Sequence, residues 1–170
     1  MQDKKYIADY PALMEEWDWE KNNTNGHDPA KIAHKSNKKF FWKCALGHSW
    51  ETEPYHRISG QGCPYCSNRR LLVGFNDLKS THPDLALEWD YEKNEGLSPK
   101  DVSYGSAKKV WWKCPKGHEW QSTIKDRNSG NGCPYCASKL VLKGYNDLQA
   151  LNPSVTKEWN YEKNNGLTPV

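Results

Sequence analysis

Two spacings of apolar positions organise this chain of 170 residues. Along Lys109-Val110-Trp111-Trp112-Lys113, and again along residues 118–124, polar and apolar side chains alternate, the two-residue rhythm of strands with one buried face. The short turn at residues 114–118 makes the two stretches the arms of a hairpin. Elsewhere the spacing lengthens to four: Leu13 with Trp17, Leu85 with Trp89, and Val155 with Trp159 share a helical face. Pro11, Pro83 and Pro153 suit first helical positions, and Asp84 suits a first turn. Asn76-Asp77 and Asn146-Asp147 have the residue types that cap a short turn of helix. Residues 93–96 and 163–166 read as a helix stop that ends on glycine. A glycine-rich turn, Gly60-Gln61-Gly62 or Gly130-Asn131-Gly132, follows each hairpin, and a short helix is predicted over residues 67–72 and 137–142.

These elements recur with a period of seventy residues. Phe41-Trp42-Lys43-Cys44 answers Trp111-Trp112-Lys113-Cys114, and Gly74-Phe75-Asn76-Asp77-Leu78 answers Gly144-Tyr145-Asn146-Asp147-Leu148. A third motif occurs three times, beginning Glu16-Trp17-Asp18, Glu88-Trp89-Asp90 and Glu158-Trp159-Asn160. The first copy is two residues longer between its tryptophan and Gly26, which aligns with Gly96 and Gly166. The organisation expected is two helical-plus-hairpin modules, 1–73 and 74–143, and a partial third unit, 144–170, that is either a helical cap or a truncated repeat.

The chemistry sits at fixed places in the repeat. Cys44 and His48 are followed after fourteen residues by Cys63 and Cys66; Cys114, His118, Cys133 and Cys136 repeat that spacing. All six cysteines fall in these two sets. Three thiolates and one imidazole form a closed tetrahedral set, the usual arrangement for structural zinc, so two Zn²⁺ per chain are expected. Disulfides are the rival use, but three cysteines per repeat would force a bridge between repeats. The opening residues also lack a signal peptide, which favours a reducing, cytoplasmic setting. The other histidines, His27, His34, His56 and His82, have no counterpart in the other unit and are expected at the surface.

Composition explains why metal is needed. A hydrophobic fraction of 36% and mean hydropathy of -1.00 are lean for one large core. Structural zinc can supply on the order of 10 kcal/mol to such modules. No apolar run approaches a membrane span. The net charge of +3 conceals an alternation. Residues 1–30 and 71–99 each carry net -4, residues 31–70 and 100–143 each carry net +6, and residues 144–170 carry -1. The metal-bearing stretches are basic and the stretches between them acidic.

Knuckle, hairpin, then a helix starting at the second cysteine pair is the order of a treble clef. The sequence resembles the treble-clef repeat family catalogued as a "probable zinc-ribbon domain", found in bacterial, phage and some eukaryotic proteins. The resemblance rests on Trp89-Asp90, Glu92-Lys93-Asn94, Gly105-Ser106, the run from Lys108 to Cys114, Gly117-His118, Trp120, Arg127, Gly130 and Gly132-Cys133-Pro134-Tyr135-Cys136. It implies a small α+β, zinc-stabilised fold: tandem treble-clef zinc fingers separated by short helical segments. It also implies a role in binding DNA, often beside a fused nuclease of the very-short-patch-repair type. The chain departs from the pattern at Lys35-Ser36, where the second unit has Gly105-Ser106, and it contains no nuclease domain.

Enzymatic chemistry is not expected from these residues. Four protein ligands leave no open metal position. A zinc deaminase needs glutamate two residues after its histidine, where this chain has Trp50 and Trp120. Trp17, Trp89, Trp159, Trp50 and Trp120 are expected in cores, whereas one residue of Phe41-Trp42 and one of Trp111-Trp112 must face outwards and could stack on bases. The candidate nucleic-acid contacts are Lys38, Lys39, Lys43, Arg69 and Arg70 in the first unit, with Lys108, Lys109, Lys113 and Lys139 in the second. Arg57 and Arg127 fit better as braces of the glycine-rich turns. The expected function is non-catalytic binding of nucleic acid, most simply DNA, as a targeting or accessory module; the alternative is a zinc-stabilised protein-interaction module or inhibitor.

Overall fold

In the computed structural model, which describes residues 5–170, the period-two stretches form two separate antiparallel hairpins. The chain divides into two compact units, one ending at Leu72 and the other spanning Val73–Val170. In the first, a 3-10 turn (Ile7–Asp9) leads to α1 (Pro11–Glu15) and α2 (Trp19–Thr24). Strands β1 (Phe40–Lys43) and β2 (Ser49–Thr52) follow, then α3 (Pro54–Ile58). The second has α4 (Leu78–Thr81) and α5 (Pro83–Leu87), then β3 (Lys109–Lys113), β4 (Glu119–Thr123) and α6 (Ile124–Asn128). It closes with α7 (Leu148–Leu151) and α8 (Pro153–Thr156). Proline opens α1, α5 and α8 as expected, and the Asp77 and Asp147 side chains cap α4 and α7 by accepting from Ser80 and Ala150 N–H.

Register decides which faces are buried. Trp42 pairs with Trp50 and Trp112 with Trp120, and these inward positions join Phe40 and Val110 in the two cores. Trp17 and Trp89 complete the cores in a way that helical spacing does not predict. Both lie beyond their helices and form isolated bridges to Trp42 and Trp112, with ring centroids 5.3 and 5.5 Å apart and edge-to-face. The backbone hydrogen bonds are matched: Lys43 N–H donates to Glu16 O and Lys113 N–H to Glu88 O, both at 2.7 Å. Asn22 and Asn94 extend the pairing with side-chain amides. Each Nδ2 donates at 2.7 Å to the carbonyl of Phe41 or Trp111, and each Oδ1 accepts that residue's N–H, at 3.1 and 2.9 Å. A buried asparagine thus occupies a strand edge as another strand would.

Three expectations need correction. Residues 67–72 and 137–142 are not helical: a single turn over 64–68 or 134–138 ends where Asn68 and Ser138 adopt positive φ, near 55° and 52°. Arg69 and Lys139 N–H then donate back to the Pro64 and Pro134 carbonyls, closing the turn. The short helices of each module instead follow the hairpin directly, as α3 and α6. Trp159 is only half-buried, because residues 144–170 hold no hairpin for it to bridge. The four unmatched histidines are also half-buried; His34 Nδ1 lies 2.6 Å from the Tyr10 hydroxyl and His27 packs edge-on against Phe40.

Candidate metal centres

Each centre is built from two short turns. Cys44 N–H donates to His48 O at 3.1 Å and Gly47 N–H to Cys44 O at 2.8 Å; Cys114, Gly117 and His118 repeat this at 3.0 and 2.8 Å. The turn is tight enough to need φ near 83° and 82° at Gly47 and Gly117, where a side chain would be strained. The second turn holds Cys63 and Cys66, or Cys133 and Cys136, with Ser67 N–H and Ala137 N–H donating to the first cysteine's carbonyl.

The two turns bring four donor atoms together at each centre. His48 Nδ1 lies 3.5, 3.7 and 3.3 Å from the sulfurs of Cys44, Cys63 and Cys66, and the Cys44 and Cys66 sulfurs are 3.8 Å apart. In the second centre His118 Nδ1 lies 3.6, 3.6 and 3.2 Å from Cys114, Cys133 and Cys136, with Cys114 and Cys136 sulfurs 3.9 Å apart. A regular zinc tetrahedron with ordinary bond lengths has sulfur–sulfur edges of about 3.8 Å and sulfur–nitrogen edges of about 3.6 Å. The donor sets therefore fit two zinc ions, bound through Nδ1, and all six cysteines are free thiols rather than disulfides. With every position filled by protein, a zinc ion here contributes structure rather than an open site for substrate.

Electrostatics within the first centre favour a cation. Desolvation in the cluster, followed by the neighbouring Cys63 and Cys44 sulfurs, pushes the Cys66 thiol up to about 12. For Cys44 desolvation also raises, but the His48 and Leu46 backbone N–H groups outweigh it and hold the thiol below its ordinary value. Three thiolates at such separations need a positive ion between them.

An arginine locks each centre's hairpin to its helical segment. Arg57 is buried against the rings of Trp42 and Trp50, at 5.5 and 5.3 Å, and pairs with the Glu16 carboxylate while donating to Gln61 O. Arg127 lies 5.2 and 5.4 Å from Trp112 and Trp120, pairs with Glu88 at 2.6 Å and donates to Asn131 O. The sequence suggests the bracing of the glycine-rich turns; the ion pair and the double ring contact have no local signal, since Arg and Glu lie about forty residues apart.

The candidate basic residues fall into two groups. Lys39, Phe41 and Lys43 alternate along the solvent face of the first hairpin, as Lys109, Trp111 and Lys113 do in the second, with Lys38 and Lys108 exposed just before them. The outward aromatics are half-buried, with Lys21 Nζ 5.1 Å from the Phe41 ring and Lys93 Nζ 4.5 Å from Trp111. Lys113 pairs with Glu119 at 3.2 Å, and that contact raises its pKa. Arg69, Arg70 and Lys139 lie in the second turn, away from any helix start. Arg69 donates to Ser67 Oγ, Gln61 Oε1 and Gly62 O, which binds it to the glycine-rich turn.

No helix among the described residues is long and apolar enough to cross a membrane. Over 109 residues, 63% of its length, the chain is 30% identical to a protein of Escherichia phage T5 named "Putative endonuclease". It spans 35% of that relative's length, so what the rest of the phage protein carries lies outside the match. A family model described as "Probable Treble clef zinc finger domain" matches twice, over residues 13–69 and 85–139, the two stretches that hold the paired metal centres. The chain belongs to this treble-clef zinc finger family.

Proposed function

We propose that the protein is a non-catalytic module that binds nucleic acid, most simply duplex DNA, and positions or recruits a partner activity there. The observation that carries this reading is the outward face of each hairpin, where two lysines flank an aromatic ring at every second residue. Ammonium groups at that spacing along a rigid strand can meet successive phosphates, and the ring between them offers a stacking surface to a frayed or flipped base. The metal centres hold that face still without adding a reactive position. The phage relative's name is in keeping with work on DNA, and the domain shared with it supplies binding rather than cleavage in this reading.

The two faces should contribute unequally. Lys113 already shares the Glu119 carboxylate with Lys93, whereas the position facing Lys43 across the first hairpin is Ser49. Fluorescence anisotropy on a short labelled duplex should show log affinity falling linearly with log salt. Lys39→Glu and Lys43→Glu should weaken binding to all sequences alike and flatten the salt slope by about one for each lysine lost. Lys113→Glu should have the smaller effect. Absence of binding at low salt by the zinc-loaded chain would refute the proposal.

A further inference from the structure

The first unit holds a polar cleft of about 160 Å³ between strand β2 and the two turns that follow it, with Trp50, Glu51, Thr52, Gln61, Arg69 and Arg70 in its walls. At about 30 Å³ per water molecule the space takes roughly five waters. That suits a phosphate group and is too small for a whole nucleotide. The metal turn places both arginines. Arg69 and Arg70 N–H donate to Pro64 O at 2.9 and 3.0 Å, directly after Asn68 has taken the chain through the left-handed region. The Arg69 side chain is fixed in its turn: Nε donates to Ser67 Oγ at 2.9 Å, Nη1 to Gln61 Oε1 at 3.2 Å and Nη2 to Gly62 O at 2.8 Å. Gln61 is itself held, its Nε2 lying 3.1 Å from His56 Nδ1.

These contacts differ in kind from those of Arg57 and Arg127. Each of those arginines is buried and commits its fork to a carboxylate. Arg69 is exposed, and its acceptors are a hydroxyl, an amide and a backbone carbonyl, all neutral. They position its charge without cancelling it. Of the five N–H groups of a guanidinium two remain, one on each terminal nitrogen. That is the fork that meets two oxygens of a phosphate. Arg70 brings a second positive charge to the cleft and Glu51 a single negative one, which leaves a net attraction for an anion. The second unit has Gln121, Asn131, Ala137, Lys139 and Leu140 at the corresponding positions, so it lacks both guanidinium groups and the hydroxyl that anchors Arg69.

The geometry points to a phosphate-binding cleft in the first unit, built around Arg69 and Arg70, that takes a backbone phosphate of the bound nucleic acid. Its setting names that source. Glu51 faces Phe41 directly across the hairpin, so the cleft borders the row of Lys39, Phe41 and Lys43. A strand lying along the row can seat one phosphate in the cleft, an anchor that fixes its register on the first unit and that the second does not offer. In this role the cleft rests on the function proposed above.

Inorganic phosphate tests the chemistry and duplex DNA the source. Titrated against chloride at constant ionic strength into the full zinc-loaded chain, phosphate should move the Arg69 Nε–H and Gly62 amide resonances saturably. Arg69→Lys with Arg70→Leu gives the first unit the side chains of the second. It should abolish saturation at Gly62 while both zinc ions are retained. On a labelled duplex the same double variant should bind about fivefold or more weakly and flatten the salt slope by about one. Glu51→Gln should act in the opposite direction, tightening both by about two- to threefold, and it tests the cleft should the double variant lose metal. No saturable shift, a shift that survives the double variant, or weaker phosphate binding in Glu51→Gln overturns the proposal. So does unchanged duplex binding by the double variant where Lys39→Glu still weakens it, an outcome that leaves the proposed function standing. Saturable phosphate binding by a chain that retains no duplex at low salt refutes that function instead and assigns the cleft to a free phosphate ester.

Discussion

Arg127 illustrates how much one side chain can hold in a module with a thin core. Its guanidinium is buried between two tryptophan rings, bonded to a loop carbonyl at one end and to Glu88 at the other. Lysine has neither the flat face that stacks on indole nor the fork that reaches two acceptors. Arg127→Lys should therefore fail to rescue, and Arg127→Ala should destabilise the second unit by about 3 kcal/mol. Thermal unfolding of the zinc-loaded chain checks this, and a loss below about 0.5 kcal/mol, the range of ordinary surface changes, would show the pair to be incidental. Cys66 contributes one proton to the pH response of the first centre. Because its metal-free thiol is pushed up to about 12, it is protonated at neutral pH, and zinc must displace that proton. Lowering the pH restores the proton and opposes the metal, so apparent zinc affinity should fall about tenfold or more per pH unit. Competition with a chromophoric indicator between neutral and mildly acidic pH measures this, and a flat profile would contradict it.

At the level of elements, the pairing of a helical segment with a hairpin edge depends on Asn22 and Asn94. Asn94→Ala removes two hydrogen bonds and leaves the Trp111 N–H without its partner, while the Trp111 carbonyl keeps only the Asp90 N–H at 3.2 Å, which should cost about 2 kcal/mol. Hydrogen exchange should show the Trp111 amide losing its protection while the Trp112–Trp120 pairing keeps its own. Asn94→Asp should restore that protection only in part, since a carboxylate can accept from the Trp111 N–H but repels its carbonyl. Unchanged protection in Asn94→Ala would remove the idea. These asparagines also mark the limit of what could be read from the chain alone. Strand limits, ligand sets and proline-led helix starts follow from spacing and residue type, because each is decided within a few residues. Lys-Asn ahead of glycine suggests only a helix stop, and the contact that gives Asn94 its role lies seventeen residues away. The helix expected at residues 67–72 fails for the opposite reason. Its composition is permissive, but bringing Cys63 and Cys66 to one ion needs a tight turn, and the chain leaves that turn through Asn68 in the left-handed region.

For the molecule as a whole, the two centres share a ligand set but not their surroundings. Cys114, His118 and Cys133 are buried, while Cys44 and His48 are half-exposed. The Tyr145 ring lies 4.1 Å from the His118 ring, with its hydroxyl 4.0 Å from Cys136 Sγ and accepting from Lys116 Nζ at 3.0 Å. A zinc ion with three thiolates leaves one net negative charge, which the Lys116 ammonium offsets. The corresponding positions in the first unit are Leu46 and Phe75, which offer neither ammonium nor hydroxyl. The second centre should therefore yield its metal more slowly. Because the two apolar cores share no residue, loss of one ion should unfold one module and leave the other intact. Challenge with excess chelator should accordingly give two phases, the fast one accompanied by loss of the Trp42 and Trp50 indole resonances and the slow one by loss of Trp112 and Trp120. Lys116→Leu together with Tyr145→Phe gives the second centre the side chains of the first and should bring the slow phase towards the fast one. A single phase in the unaltered chain, or a fast phase that melts the second hairpin first, would mean that the four ligands alone set the rate and that the Lys116–Tyr145 contact adds nothing to metal retention.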